Sequence, residues 1–376
     1  MKETSDRDHG LHRVPCAHPG QWLYLLADAG VVFSETHNRF VGLSSAGVAA
    51  YQAFDAGATL EDLRAYNQPT RSVSMDTIHA LSHGIFPAGE PRVVWPPLQH
   101  DLTANLEIQD VPVRIDFPPG PSEQLCRDCF RSCPPTAKPA KCHISARRTG
   151  DSWAIYANDC EILASLAEEQ LGLGFLHAAR SLLYAQSEYD VAFHAATVAN
   201  DRCGIMFSAP REAGKSTLAA YLVSHGFHLV ADEPTLLDLD TGCVPSLTLP
   251  VSLKEQSWTV LQNEWPQLSQ APIHVRSDGI RVRFLHPPPA SRPSSPRLTH
   301  ILFPEYQSSS SARIERLTPL ETLRLLNEAG MLLAKHLSPH KFEAFLKTIS
   351  ATPAHTLKYG SLPEAFSIIT RLADEA

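Results

Sequence analysis

The sequence predicts an α/β fold built round a phosphate-binding loop, with a smaller domain ahead of it. Three observations carry that prediction. First, the apolar run Ile205–Phe207 leads into Ser208-Ala-Pro-Arg-Glu-Ala-Gly-Lys-Ser-Thr217, after which Leu218, Ala219, Tyr221 and Leu222 recur at the spacing of a packed helix. Strand, loop and helix is the context that the pattern G-x-x-x-x-G-K-[ST] requires. Gly214, Lys215 and Ser216 are in place, and Ala209 stands where the first glycine is expected. Second, one helix later, the apolar run Phe227–Ala231 ends on the acid pair Asp232-Glu233. Third, short alternating runs and helix-periodic runs follow one another along the chain, with no repeat and no heptad array.

From the N-terminus, residues 1–20 carry charge, His and Pro without periodicity and read as a flexible arm. Trp22–Leu26, a turn at Asp28-Ala-Gly30 and Val31–Phe33 read as a hairpin, and Arg39–Leu43 as a third strand. Ser44 is placed to cap a helix that carries Val48, Tyr51 and Phe54 inward. Gly57 ends it. Thr59-Leu-Glu-Asp62 opens a second helix in the manner of a capping box, with Leu60 and Leu63 on one face, and Ser74–Leu81 is a third. Pro87, Pro91, Pro96 and Pro97 mark a boundary near residue 95, giving a first domain over residues 21–92.

This order of sheet and helices resembles the PqqD-like, winged-helix-like domain. The likeness rests on Asn38-Arg-Phe-Val-Gly-Leu-Ser-Ser-Ala-Gly47 and Gly57-Ala-Thr-Leu-Glu-Asp-Leu63. The resemblance implies recognition of a peptide or protein substrate, which would add a strand to an exposed sheet edge. The quoted residues are mostly core and cap residues, so a structural cap that binds nothing stays open beside that reading.

The second domain spans residues 98–376. In its first part, 98–190, Leu106–Phe117, Cys142–Arg147 and Trp153–Tyr156 read as strands around a helix bearing Cys126, Cys129 and Cys133. Those thiols step by three and four, the spacing of one buried helix face, while Cys142-His143 keeps a zinc site open. Ile162, Leu163, Leu166, Leu171, Leu176, Leu182 and Leu183 predict one long helix with a break at Gly172 and Gly174, and His177 on it reads as a packing residue. The nucleotide core, 191–305, adds Lys254 on a strand and the alternating Arg281 and Arg283, which could meet an anion or form salt bridges. Residues 287–296 are a polar loop before the strand Leu298–Phe303, and Gln307–Ser311 is a turn. In the last part, 306–376, Pro319–Leu333, Pro339–Ile349 and Leu362–Leu372 predict three helices over the sheet.

The loop's residue types have a chemical reason. Main-chain N–H groups from Arg211, Glu212, Ala213, Gly214, Lys215, Ser216 and Thr217 at a helix N-terminus form a cradle for phosphate, and Gly214 lets the main chain approach closely. Lys215 would neutralise β- and γ-oxygens, and the Ser216 hydroxyl would take Mg²⁺ with Asp232 or Glu233. Asp232 could also accept a proton from an attacking hydroxyl, or simply cap the turn before Pro234.

His194-Ala-Ala-Thr-Val, Gly204-Ile-Met-Phe, Ala-Gly-Lys-Ser-Thr217, His225-Gly-Phe-His-Leu-Val-Ala-Asp-Glu233 and Leu249-Pro-Val-Ser-Leu-Lys254 together resemble the HPr kinase/phosphorylase catalytic domain. They are closest to its divergent HPr-kinase-related branch, which has Asp-Glu where the parent family has Asp-Asp. The resemblance covers about residues 100–376. It implies a P-loop kinase core of the HPr kinase/PEP carboxykinase type, ATP and Mg²⁺ as cofactors, Asp232 as base toward a seryl hydroxyl, and His194 and Lys215 beside it. It also places Lys254 near the phosphates and implies a homo-oligomer, since related kinases assemble as hexamers. The parent family's phosphorylase signature is not evident after Pro245, which leaves the reverse reaction open.

Composition narrows the classes. With 376 residues, 43% hydrophobic, and a net charge of −8, the chain reads as globular, without the basic footprint of a nucleic-acid binder. No run approaches the ~18 apolar residues of a membrane span. Met1–His12 lacks the apolar core of a secretory signal, and the dispersed Cys16, Cys160, Cys203 and Cys243 suit a reducing compartment, so the cytoplasm is expected. No Gly-x-Ser-x-Gly, His-Glu-x-x-His or Gly-x-Gly-x-x-Gly occurs, which sets hydrolase, metalloprotease and dinucleotide readings aside. The expectation is an ATP-dependent kinase acting on a peptide or protein Ser/Thr. A nucleotide-binding scaffold without transfer and a small-molecule alcohol kinase are the alternatives.

Overall fold

The N-terminal hairpin becomes part of a four-stranded antiparallel sheet. Its strands are β1 (His12–Pro15), β2 (Gln21–Leu26), β3 (Ala29–Ser34) and β4 (Arg39–Ser44), paired in that order, and α1 (Ser45–Asp55) follows. The Ser44 hydroxyl accepts from the Gly47 N–H at 3.3 Å, the cap expected there. Within residues 1–20, expected as a flexible arm, His12–Pro15 form β1. Its main chain pairs along the open edge of β2, and Arg13 lies over the Trp22 ring at 4.9 Å, neither of which leaves an apolar period in the sequence. This computed structural model describes residues 11–16, 20–26, 29–35, 38–55, 102–186, 189–286, 295–333 and 337–375. The helices expected from Thr59 and from Ser74 lie outside the described residues, as does most of the polar loop 287–296.

The next unit is a five-stranded sheet, β5 (Thr103–Ile108), β6 (Val111–Asp116), β7 (Cys142–Thr149), β8 (Ser152–Ala157) and β9 (Cys160–Leu166), with α2 (Pro121–Asp128) and α3 (Leu171–Gln186) sharing its core. The long helix expected from Ile162 is therefore half strand. Leu163 faces Ile155 and Leu166 faces Trp153 across a register shift, with Ser165 at φ 56°. A bulge thus turns a strand spacing of two into three, which mimics a helix. Gly172 sits in the first turn of α3, where a Cβ would lie 2.5 Å from the His274 Nδ1; the glycine allows a close approach rather than a break.

The cysteines do not share one helix face, because α2 ends at Asp128. Cys126 lies on the helix, Cys129 caps it, Cys133 lies beyond it, and all three are buried with Cys142 in one core. The Cys129 thiol donates to the Gly172 carbonyl at 3.0 Å and the Cys133 thiol to the Thr248 carbonyl at 3.5 Å. Among the described residues, no cluster tight enough for a shared metal ion contains them.

The remainder comprises β10 (Val191–Phe193), β11 (Ala195–Ala199), β12 (Gly204–Ser208), α4 (Lys215–Ser224), β13 (His228–Asp232), β14 (Thr235–Leu237), β15 (Val251–Lys254) and α5 (Glu255–Val260). Then come β16 (His274–Val275), β17 (Arg281–Leu285), β18 (Leu298–Tyr306), β19 (Arg313–Arg316), α6 (Pro319–Glu328), β20 (Leu332–Leu333), α7 (Pro339–Ala351), β21 (Ala354–Tyr359) and α8 (Leu362–Asp374). The main sheet has the order β13-β11-β12-β18-β21-β19. β12, β18 and β21 run parallel, and β11 lies antiparallel between β12 and β13, so β12 and β13 point the same way. The first C-terminal helix stops at Glu328, short of the expected Leu333, because Leu332 and Leu333 pair with β10.

Both faces of this sheet are covered. α4 and α8 pack on one. On the other, α6 and α7 share a core with the N-terminal sheet, in which Tyr24, Val31 and Phe33 meet Leu323, Leu326, Phe342 and Phe345. Phe33 and Phe342 stack at 4.1 Å, and the Tyr24 hydroxyl donates to the Pro339 carbonyl at 2.9 Å. The N-terminal strands are thus packed into the same core as residues 306–376. The whole is mixed α/β with several sheets, and no helix among the described residues is long and apolar enough to cross a membrane.

Candidate functional site

β12 is buried along its whole length and delivers the loop to the carboxyl edge of the sheet. α4 is apolar all round, with Leu218 to Val223 buried, so it is fixed between the sheet and α8 and its N-terminus cannot drift. Gly214 caps it at φ 86°, ψ 8°, and a Cβ there would lie 2.9 Å from the Tyr359 hydroxyl at the end of β21. The loop's left-handed positions are Glu212 (φ 72°) and Gly214; Ala209 is not among the residues with positive φ, which explains how alanine fits the first-glycine position.

The loop's polar groups are satisfied from within. The Lys215 side chain is buried, and its Nζ donates to the carbonyls of Ala209 (2.8 Å) and Pro210 (3.1 Å). Burial lowers its pKa, helped by Lys254 and Arg211 and opposed by Glu233 and Asp232. The Ser216 hydroxyl donates to both Asp232 carboxylate oxygens, at 2.9 and 3.2 Å. Thr217 turns away, its hydroxyl 2.6 Å from that of Ser257, and Arg211 and Glu212 are exposed at the mouth.

Asp232 is 2% exposed and also accepts from the Ser252 N–H at 3.2 Å. Burial and the neighbouring Glu233 push its pKa up to about 6, against Arg180, Ser216 and Ser252. For Glu233, burial acts upward too, but His194, Arg180, Lys215 and Arg211 outweigh it and hold the carboxyl below its ordinary value. Register explains the pairing with His194. Asp232 lies opposite Ala196, the Glu233 N–H donates to the Ala195 carbonyl at 3.0 Å, and His194 Nε2 comes within 3.0 Å of the Glu233 Oε1. Burial lowers the His194 pKa against the pull of Glu233.

The structure therefore brings Lys215, Ser216, Asp232, Glu233 and His194 to one place. Lys254 reaches the loop indirectly, its Nζ donating to the Glu212 carboxylate at 2.9 Å. Arg281 pairs with Glu255 at 2.8 Å and lines an open cavity of about 190 Å³ with Glu212 and Lys254. Arg283 lies over Trp258 at 4.3 Å. Sequence reasoning missed Arg180. It sits on α3, outside any motif, yet its charge acts on Asp232, Glu233 and His194, and the only local signal was an arginine in an otherwise apolar helix stretch.

Two adjacent acids whose proton affinities are driven apart suit different tasks, one to take a proton and one to stay charged. The hydroxyl and carboxylate oxygens of Ser216, Asp232 and Glu233 are a hard donor set that fits a small divalent cation. No family model matches the chain, and no curated protein matches it.

Proposed function

We propose that the chain is a Mg²⁺–ATP-dependent kinase with a phosphate-loop core of the HPr kinase/PEP carboxykinase type, moving the γ-phosphoryl group of ATP to a peptide or protein Ser/Thr hydroxyl. The observation that carries this reading is the 2.9 Å hydrogen bond from the Ser216 hydroxyl to Asp232. It joins the helix N-terminus of the loop to an acid at the end of a strand that points the same way, two places across the sheet.

In this reading the loop N–H groups take the β-phosphate, and Lys215 exchanges the Ala209 and Pro210 carbonyls for phosphate oxygens. Ser216 with an acid partner, Glu233 as the one that stays charged, would hold Mg²⁺, which supplies neutralisation of the phosphate charge. Asp232, with its raised proton affinity, takes the proton of the acceptor hydroxyl. As the acceptor oxygen bonds to phosphorus, the bond to the β–γ bridging oxygen breaks and its electron pair leaves with ADP. His194 holds Glu233 in place. Eight cysteines outside any disulfide suit a cytoplasmic site for this reaction. The peptide acceptor draws support from β4, an outer strand of its sheet with Val41 61% exposed.

The test is transfer of γ-labelled phosphate in extract of the source cells, wild type against Asp232→Asn, with protein, peptide and small-molecule fractions separated. Label that requires the wild type and enters protein or peptide supports the reading. Label in the small-molecule fraction replaces the acceptor with a metabolite, and no label despite intact MgADP binding replaces the kinase with a nucleotide-binding scaffold.

A further inference from the structure

Arg180, on α3, acts through its charge on both Asp232 and Glu233, and its Nε and Nη2 are shut off from solvent with no hydrogen-bond partner among the described residues. A guanidinium does not lose its proton, so a buried edge with open donors requires an acceptor. Asp232 is committed elsewhere, both its oxygens accepting from Ser216 and one of them from Ser252 as well, and one Glu233 oxygen, Oε1, lies against His194. The two free groups also form one edge: Nε–H and the neighbouring Nη2–H point the same way, the fork that fits two oxygens of a phosphoryl group.

We propose that Arg180 grips the transferred phosphoryl group through this Nε–Nη2 edge. The assignment rests on the kinase reading above. Asp232 and Glu233 alone would repel an incoming γ-phosphate, and Lys215 reaches it only from the loop; Arg180 supplies positive charge that acts on both acids. The acceptor oxygen–phosphorus bond forms, the bond to the bridging oxygen breaks, ADP departs with the electron pair, and the proton goes to Asp232. Arg180 neither gains nor loses a proton.

The test is calorimetric titration of the full chain with MgADP, with and without fluoroaluminate, which mimics a phosphoryl group in flight. Wild type is expected to bind MgADP more tightly with fluoroaluminate, by on the order of a hundredfold. Arg180→Ala and Arg180→Lys are expected to keep the MgADP affinity and lose roughly tenfold or more of that gain. Arg180→Lys keeps a cation beside the two acids, so it reports even where the alanine variant fails to fold. Equal fluoroaluminate gain in wild type and Arg180→Lys overturns the assignment while leaving nucleotide binding intact. An unchanged gain with a displaced acidic limb in the pH–rate profile makes Arg180 a positioning residue for Asp232 instead. Wild type that does not bind MgADP overturns the kinase reading, and this proposal with it.

Discussion

Asp232→Asn separates the chemistry of the buried acid from its structural role. The Asp232 pKa rises from the ordinary 3.8 to about 6, chiefly through burial and then through Glu233. At ~1.4 kcal/mol for each tenfold change in proton affinity, ionising it in the folded chain at pH 8 costs about 3 kcal/mol. Because the folded pKa lies above the unfolded one, the group's stabilising contribution is complete below about 3.8 and is lost as pH rises through about 6. Asparagine keeps the hydrogen bonds: its carbonyl can accept from the Ser252 N–H, and its amide can donate to the Ser216 oxygen. The variant should therefore be more stable than wild type at pH 8, by about 2–3 kcal/mol, and nearly equal to it at pH 4. For a chain of this length that is a rise of about 2.5–4 °C in melting temperature at pH 8 alone. Phosphoryl transfer should fall on the order of 10²–10⁴-fold in the same variant, while wild-type kcat/KM declines below about pH 6. Paired thermal melts at the two pH values decide the matter. A melting temperature that changes equally at both would refute the burial argument.

Three further outcomes follow from the geometry. Lys215→Met removes the cation expected to meet the phosphates, so MgATP affinity should fall by roughly 1.5–3 kcal/mol, read by titration; unchanged affinity would exclude Lys215 from the phosphate site. Gly214→Ala meets both a left-handed φ of 86° and the Tyr359 hydroxyl at 2.9 Å, and should cost about 1–2 kcal/mol for the backbone alone in denaturant melts. Adding Tyr359→Phe should relieve only the collision, leaving the backbone part. Phe342→Ala empties a fully buried position stacked on Phe33, and should cost about 3–5 kcal/mol and speed protease cleavage within residues 20–44. MgADP affinity should be unaffected, since the loop lies on the other core; a large loss would show that the two cores are coupled.

Much of the site was legible because its signals are local. A phosphate loop must combine a buried strand, a left-handed glycine and a helix within a dozen residues, and the acid pair closes the next strand. What escaped was set by distant partners. Ala195–Ala199 is a central strand made largely of small residues with weak strand preference, and only β12 and β13 on either side hold it extended. Ala354–Tyr359 lies between two helices and becomes strand because it runs parallel to β18, which carries Tyr359 to the loop. β9 passed for a helix through one bulge, and the thiols of Cys126, Cys129 and Cys133 passed for a helix face because their spacing outlasts the helix itself. Arg180 left only the trace of an arginine in an apolar helix stretch, since nothing in the spacing from α3 to β13 announces that the two meet.

The loop's internal hydrogen bonds also argue for how ligand binding is balanced. Lys215 donates to two loop carbonyls, Ser216 to Asp232, and Lys254 to Glu212, so each of these groups already has a partner inside the protein. A ligand that takes them must exchange one hydrogen bond for another, and the net gain per contact is the difference between a carbonyl or carboxylate and a phosphate oxygen. Such a loop stays folded without its ligand and gives up little order on binding. Arg180 is the exception. Its Nε–Nη2 edge has no partner to release, so an anion reaching it would gain a full charge-assisted contact without an exchange. The ligand group that meets this edge, rather than those held by the loop, is where discrimination between a diphosphate and a phosphoryl group in transit should arise.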